Sequence, residues 1–403
     1  MRERKILIAN VGSTSFKYQL FSMPAEKVLA KGKVERVGSD RSPFSHSIAG
    51  RTISGEAEAK DHNAAIKLCL DFLLSPEAKV ISALEEIEAV GFKTVHGGRF
   101  TGVHFLTDEV LSEMERFSIV APAHNTPYIK AIRIFKELLP STPLIGVFEP
   151  HFHTTIPLYA RVYGVPYEWY EKYGIAKYGF HGASHHYIAE RTPQLIGKPK
   201  EELKIISCHL GGSSSLCAIK YGESIDTSMG FSAQSGVLNA TRCGDLDVFI
   251  IPFLMREGNM SIEEICRELV KRGGLLGISG ISGDMRDLLE ATASGDERAS
   301  LAIDSFCYGV KKYIGSYVAI MNGLDVLVFT GGIGEMSPPI REKICEDMDY
   351  LGIKLDKEKN LSTIGKEGII SPEGSRVIVA VIPTNEELIV ARESLKLLEK
   401  EGG

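Results

Sequence analysis

The sequence predicts an α/β protein made of two similar domains that face a shared cleft, and three observations carry that prediction. Residues 204–221, KIISCHLGGSSSLCAIKY, read as an apolar strand (Ile205, Ile206), a Gly/Ser turn at 211–215 and a second apolar strand (Leu216, Ala218, Ile219). Residues 5–21, KILIANVGSTSFKYQLF, repeat the pattern with Ile6, Leu7 and Ile8, a turn at 12–15 and a return strand at 16–20. The two units lie about half a chain apart, which points to duplication. A chain of 403 residues also exceeds what one compact core holds. Glycine accepts positive φ and serine adds a small hydroxyl, so such a turn can wrap backbone N–H groups around a phosphate. Singly, each is an ordinary hairpin. As a pair, each preceded by a polar residue (Asn10, His209), they point to nucleotide phosphates.

Hydrophobic residues make up 44% of the chain and charged residues 24%, the balance of a soluble globular protein. The net charge of −6, without a basic run, argues against nucleic acid as a partner. Seven scattered cysteines with no CxxC pair fit reduced thiols in a cytoplasmic protein. The first apolar run ends at Asn10, too soon for a signal-peptide core, and no stretch reaches membrane-spanning length.

Along the chain, residues 31–55 are polar and Gly/Ser-rich and read as short strands and loops. Spacing predicts a helix over 64–74 (Ile66, Leu70, Leu73). Residues 88–95 form a strand. Thr107 can cap a helix whose first turn holds Asp108 and Glu109. Pro122 marks a junction before a helix running to Leu139, and 143–148 is a buried-type strand. The domain boundary is placed here: 1–150 plus a returning helix at 385–403, and 151–384. In the second half, a helix lies near Ile188 and another at 261–272 with a Ser261/Glu264 capping box. Residues 275–284 read as a loop, 299–321 as helix, and 326–330 as a strand meeting a glycine turn at 331–334 before a helix. A strand at 377–382 precedes a final helix capped by Thr384 with Glu387. No Walker A or GxGxxG pattern occurs.

At this point particular segments carry a resemblance. Residues 10–17 (NVGSTSFK) and 178–185 (YGFHGASH) resemble the two signatures of acetate kinases. Residues 95–98, 166–174, 226–231, 329–335 and 382–388 are similar to further segments of that family, in its order. The resemblance covers essentially the whole chain. It implies the actin, hexokinase and heat-shock ATPase fold, with ribonuclease H-like halves. It also implies a homodimer, ATP with Mg2+, and reversible phosphorylation of a short carboxylate to an acyl phosphate.

Carried over residue by residue, His181 would meet the transferred phosphoryl group, and Arg242 the carboxylate and developing charge. Asn10 and Glu386 would be linked to the metal, Glu149 would join the catalytic set, and His124 would support it. Lys17, His209, Gly211, Gly212, Ser213, Asp284, Arg286, Gly331, Gly332, Ile333 and Gly334 would bind the nucleotide. Lys93, Val95, Ala123, Phe180 and Asn239 would meet the acid.

Several positions depart from the family: Lys93 replaces an arginine, Glu149 an aspartate, Gly212-Ser213 an Asn-Gly, Asn239-Ala240 a Met-Gly, and Ala123 a leucine. Ala123 would enlarge the acyl pocket, and Asn239 could hydrogen-bond a substituted acid. Two other readings remain. The changes at Lys93, Glu149 and Gly212 could leave a nucleotide-binding regulator without catalysis. The histidines of 151–153 and 185–186 could hold a metal for hydrolysis, since His-x-His on a strand puts both rings on one face.

Overall fold

The structure is a computed structural model that describes residues 2–401, apart from the side chains of Pro122 and Ala123. The chain divides into two compact units, Met1–His151 with Asn385–Gly403, and Phe152–Thr384.

The first unit is built on an eight-stranded mixed sheet. Its strands are β1 (Arg4–Val11), β2 (Ser15–Met23), β3 (Lys27–Glu35), β4 (Ser39–Ile48), β5 (Arg51–Ala59), β6 (Ile87–Thr94), β7 (Val103–Phe105) and β8 (Leu144–Phe148). The spatial order is β5-β4-β3-β2-β1-β6-β8-β7. Alternation puts Leu7, Ala9, Val11, Phe16 and Leu20 in one core with the apolar faces of helices His62–Leu74 and Pro122–Leu138. Asp61 caps the first of these helices, and Thr107 caps Asp108–Arg116 as its sequence predicts. The final helix, Glu386–Glu401, packs on β1, β6 and β8. Gly91 admits it: a Cβ there would stand 2.7 Å from Ser394 Oγ and 3.1 Å from Val390 Cγ1.

The stretch read as short strands and loops is instead the long antiparallel ribbon β3–β5. Most of β5 is exposed on both faces, so no apolar alternation marks it in the sequence.

The second unit carries a six-stranded sheet of β9 (Lys204–His209), β10 (Ser215–Lys220), β11 (Glu223–Thr227), β12 (Val326–Thr330), β13 (Gly368–Ile369) and β14 (Ile378–Val381). Its order is β11-β10-β9-β12-β14-β13. Helix Glu297–Met321 lays Phe306, Val310 and Ile314 into the core of this sheet. Ser261 and Glu264 make the expected capping box.

Four local expectations are corrected. Gly274–Ser279 is helical, because Leu275 inserts into the core and outweighs the glycines, and Gly280 at φ 75° ends the helix. The glycine turn after β12 is not separate from the helix: it is the first turn of Gly331–Met336, opened by Gly331 at φ 75°. The final helix is capped by Asn385, whose Oδ1 accepts from Leu388 N at 3.3 Å. Thr384 Oγ1 instead bonds Ser184 Oγ at 2.9 Å. His151–Thr155 is a 3-10 turn, so residues 151 and 153 share no strand face. Among the described residues no helix is long and apolar enough to cross a membrane.

Candidate functional site

In the second unit the glycine turn between β9 and β10 is braced from outside. Gly211 N donates to Ser214 Oγ (3.1 Å), Ser214 N to Asn239 Oδ1 (2.6 Å) and Ala240 N to Gly212 O (2.9 Å). The β12 turn is stapled to the same place: Ile333 N and Gly334 N both donate to Leu210 O, at 2.8 and 3.1 Å. Gly331 is required there. Its φ is 75°, and a Cβ would stand 2.7 Å from that same carbonyl. Glu335 closes the turn by accepting from Gly331 N at 2.9 Å and from Thr384 N at 3.1 Å. Beside these turns lies a cavity of about 770 Å³ lined by Gly211, Gly212, Asp284, Arg286, Gly332 and Ile333. Its volume suits a nucleotide-sized ligand. Asp284 and Arg286 pair at 2.6 Å on the exposed surface.

His181 sits in the left-handed region at φ 54°, at the N-terminus of helix Gly182–Ile196. Such a conformation is costly for a side chain that is not glycine, and surrounding bonds hold it. Its Nδ1 lies 2.8 Å from Ser215 Oγ, which is also 2.8 Å from His185 Nε2. His185 Nδ1 in turn meets Ser207 Oγ at 2.8 Å. Burial, reinforced by His153 and His209, holds the His185 pKa well below that of a free imidazole, so this ring is neutral. Ser215 has one proton to give, so it can donate to only one of the two rings, and at least one ring must present an N–H to it. His181 Nδ1 and His185 Nε2 therefore cannot both be acceptors toward this hydroxyl. His181 also stacks on His209, with centroids 4.2 Å apart.

Arg242 Nη2 donates to Ser213 Oγ (2.5 Å) and Asn239 Oδ1 (3.2 Å). Its Nε is buried and has no hydrogen-bond partner among the described residues. Burial lowers its pKa, yet an arginine stays cationic. Asn239 is 1% exposed, and its amide is spent on Ser214, Arg242 and the Val237 carbonyl. That revises its expected role: it braces the turn and the guanidinium from behind and does not face an acid. Phe180 is buried, with its carbonyl 3.0 Å from His153 Nε2.

In the first unit, Lys93 Nζ lies 2.7 Å from Glu386 Oε2 and 3.5 Å from Glu149 Oε1. Burial would lower the lysine pKa, but the two carboxylates outweigh it and hold it well above the usual range. Two carboxylates around one ammonium leave one negative charge, and hard oxygen donors of that kind suit Mg2+. Tyr128 OH donates to Asn10 Oδ1 at 3.3 Å, and the charges of Lys93, Glu149 and Glu386 act on its phenol. Val95 is buried just beyond β6, and His124 is exposed on helix Pro122–Leu138. The side chain of Ala123 lies outside the described residues.

The profile of the Acetokinase family matches residues 5–392. The acetate kinase of Halothermothrix orenii is 49% identical over 397 residues, covering 98% of this chain and 100% of that protein. The acetate kinase of Clostridium novyi is 49% identical, covering 98% and 99%. The chain belongs to the acetokinase family. Among solved structures, Porphyromonas gingivalis acetate kinase matches with TM-score 0.88 and 38% identity, over 98% of this chain and 100% of that one. A propionate kinase from Francisella tularensis also reaches TM-score 0.88, at 35% identity and 97% and 98% coverage. The two-domain actin-like fold expected of the family is thereby established.

In each unit, some groups beside the candidate residues gave no signal of their own in the sequence. Ser215 and Glu335 act through bonds described above. Asn125 is fully buried, donates to His96 O and Met114 O at 2.8 Å each, and so fixes the strand end after Lys93. The metal-hydrolase reading is not favoured by these relatives, and two of its four histidines, His153 and His185, each commit both ring nitrogens to neighbours within the second unit.

Proposed function

We propose that the protein transfers the terminal phosphoryl group of ATP to the carboxylate of a short-chain acid, reversibly, giving an acyl phosphate and ADP. The observation that carries this reading is Arg242. Its buried Nε–H lacks a partner while Nη2 is bonded to Ser213 of the glycine turn. An unmet buried donor is costly, and a planar guanidinium beside a phosphate-binding turn suits an incoming carboxylate or a phosphoryl oxygen.

In the transfer, a carboxylate oxygen forms the new P–O bond as the bond from the γ-phosphorus to the ADP oxygen breaks, and no proton need move. Such a reaction depends on positioning and charge neutralisation. In the second unit, the two glycine turns hold the nucleotide. Arg242 meets the charge that spreads over the transferring group, and His181 donates a hydrogen bond to it from Nε2. In the first unit, Asn10 and Glu386 are the residues to hold Mg2+. That ion would supply charge neutralisation at the phosphate oxygens. Lys93 sets the net charge of the carboxylate pair. Lys17 meets the nucleotide phosphates, and His124 has a supporting role.

The acid itself is proposed to be somewhat larger than acetate, since the family resemblance implies a leucine where Ala123 stands. Trapping acyl phosphates as hydroxamates, across formate, acetate, propionate, butyrate and hydroxy acids, tests the reading. A higher kcat/KM for a three- or four-carbon acid is expected, by a graded factor of about ten to two hundred. Ala123→Leu should move preference toward acetate. ATP binding with no acid phosphorylated would instead favour the regulator. A cytoplasmic homodimer completes the proposal, and sedimentation of the purified protein checks the dimer.

A further inference from the structure

The polar face of the first sheet carries a cavity of about 280 Å³ that the phosphoryl-transfer chemistry does not use in full. Its floor is set by strand register. Lys17 on β2 lies directly opposite Lys33 on β3, and Gln19 opposite Lys31. On the next strand, Ser45 faces Lys33 and Ser47 faces Lys31. Because alternate residues share a face, all six side chains belong to the same side of the sheet. All six line the cavity.

Like charges directly opposite one another are destabilising in a sheet. Lys33 is partly relieved by Glu35 at 2.8 Å. Neither Lys17 nor Lys31 has an ion-pair partner among the described residues. Glu387 is the one acidic group among the lining residues. The cavity thus combines three ammonium groups, two carboxamides (Asn10 and Gln19) and two serine hydroxyls against one carboxylate, and is rich in hydrogen-bond donors. A donor-rich, cationic hollow matches a compact oxyanion, to which each lysine offers a charge-assisted bond.

We propose that this cavity is a binding site for a small multiply charged oxyanion, of the phosphate or dicarboxylate class. It rests on the proposed function in two respects: Lys17 also serves the nucleotide, and Asn10, which lines the same cavity, would hold the metal. Occupancy would draw Lys17 toward Lys31 and Lys33, and the bound anion would oppose ATP binding.

The test is calorimetric titration of the intact, nucleotide-free protein, using orthophosphate in one arm and malonate in the other, and repeated with Mg·ADP present, which should weaken anion binding. The variant is Lys31→Gln/Lys33→Gln, which leaves the nucleotide and catalytic groups in place. Unmodified protein is expected to bind one anion per chain, and the double variant to bind it at least tenfold more weakly. Lys31→Arg/Lys33→Arg should restore binding, which separates loss of charge from misfolding. Tighter binding of orthophosphate identifies a phosphate site, and tighter malonate a dicarboxylate site. The inference is overturned if neither anion binds, or if the double glutamine variant binds as well as unmodified protein. The readout is binding, so failure to phosphorylate any acid leaves this result independent.

Discussion

Replacing Arg242 by alanine should separate rate from stability. The side chain makes two hydrogen bonds to neutral groups, Ser213 Oγ and Asn239 Oδ1. Because the guanidinium is charged, each contributes about 1.5–3 kcal/mol net. Against that stands the buried Nε with no partner, whose desolvation costs about 1–3 kcal/mol. The bonds outweigh that cost, so Arg242→Ala should lower folding stability by about 1–4 kcal/mol. Loss of a donor aimed at transition-state charge costs about 2.7–4 kcal/mol, a factor on the order of 100 to 1,000 in kcat. Arg242→Lys should recover only part of this, since the ammonium keeps the charge without the planar fork. The assay is hydroxamate capture at saturating ATP on the best acid, beside a thermal melt of the same preparation. The reasoning is refuted by near-wild-type kcat in Arg242→Ala. It is equally refuted if the melt falls so far that lost folded protein accounts for the lost rate.

Ser215→Ala removes the hydroxyl shared by His181 and His185 and should lower kcat by about tenfold, the worth of one or two hydrogen bonds. Adding it to His181→Ala should cost nothing further in a steady-state double-mutant cycle; independent, additive losses would count against the linkage. Thr384→Val should lower stability by about 1 kcal/mol in chemical denaturation by losing the bond to Ser184, whereas Thr384→Ser should retain it. Equal behaviour of the two variants would remove that bond from the account. His46 is buried, bonded to Tyr18 and stacked on Phe72, and burial lowers its pKa from 6.5 to about 4. Between those values the unfolded chain takes up a proton that folded His46 refuses. Stability should therefore fall as pH drops from about 6.5 toward 4, by on the order of 3 kcal/mol. Denaturant midpoints across that range should flatten in His46→Gln, and an unchanged slope would assign the effect elsewhere.

The elements legible in the sequence are those whose causes are local. Both glycine hairpins, the Ser261/Glu264 box, the Thr107 cap and the helix ending at Met321 follow from residues a few positions apart. A cap or a turn is a contact between near neighbours, so short stretches suffice to reveal it. Family-like segments such as residues 178–185 likewise stand in uninterrupted runs, which is why the fold and family could be read early. Loops with core-facing apolar residues were harder: Leu275 turns a glycine-rich stretch into helix because of a core made elsewhere in the chain.

The chemistry of individual groups depends on contacts between distant positions. Lys93 gains its closest carboxylate from Glu386, 293 positions away, and that pairing sets its charge. Asn239 looks like a polar residue available to a ligand until Ser214, 25 positions back, takes its amide oxygen. His181 acquires its orientation from Ser215, a strand residue 34 positions on, and Thr384 loses its expected capping role to a bond with Ser184. Hydrogen bonds and ion pairs act over a few ångströms in space and have no range in sequence, so the packing of strands and helices decides which side chains hold one another.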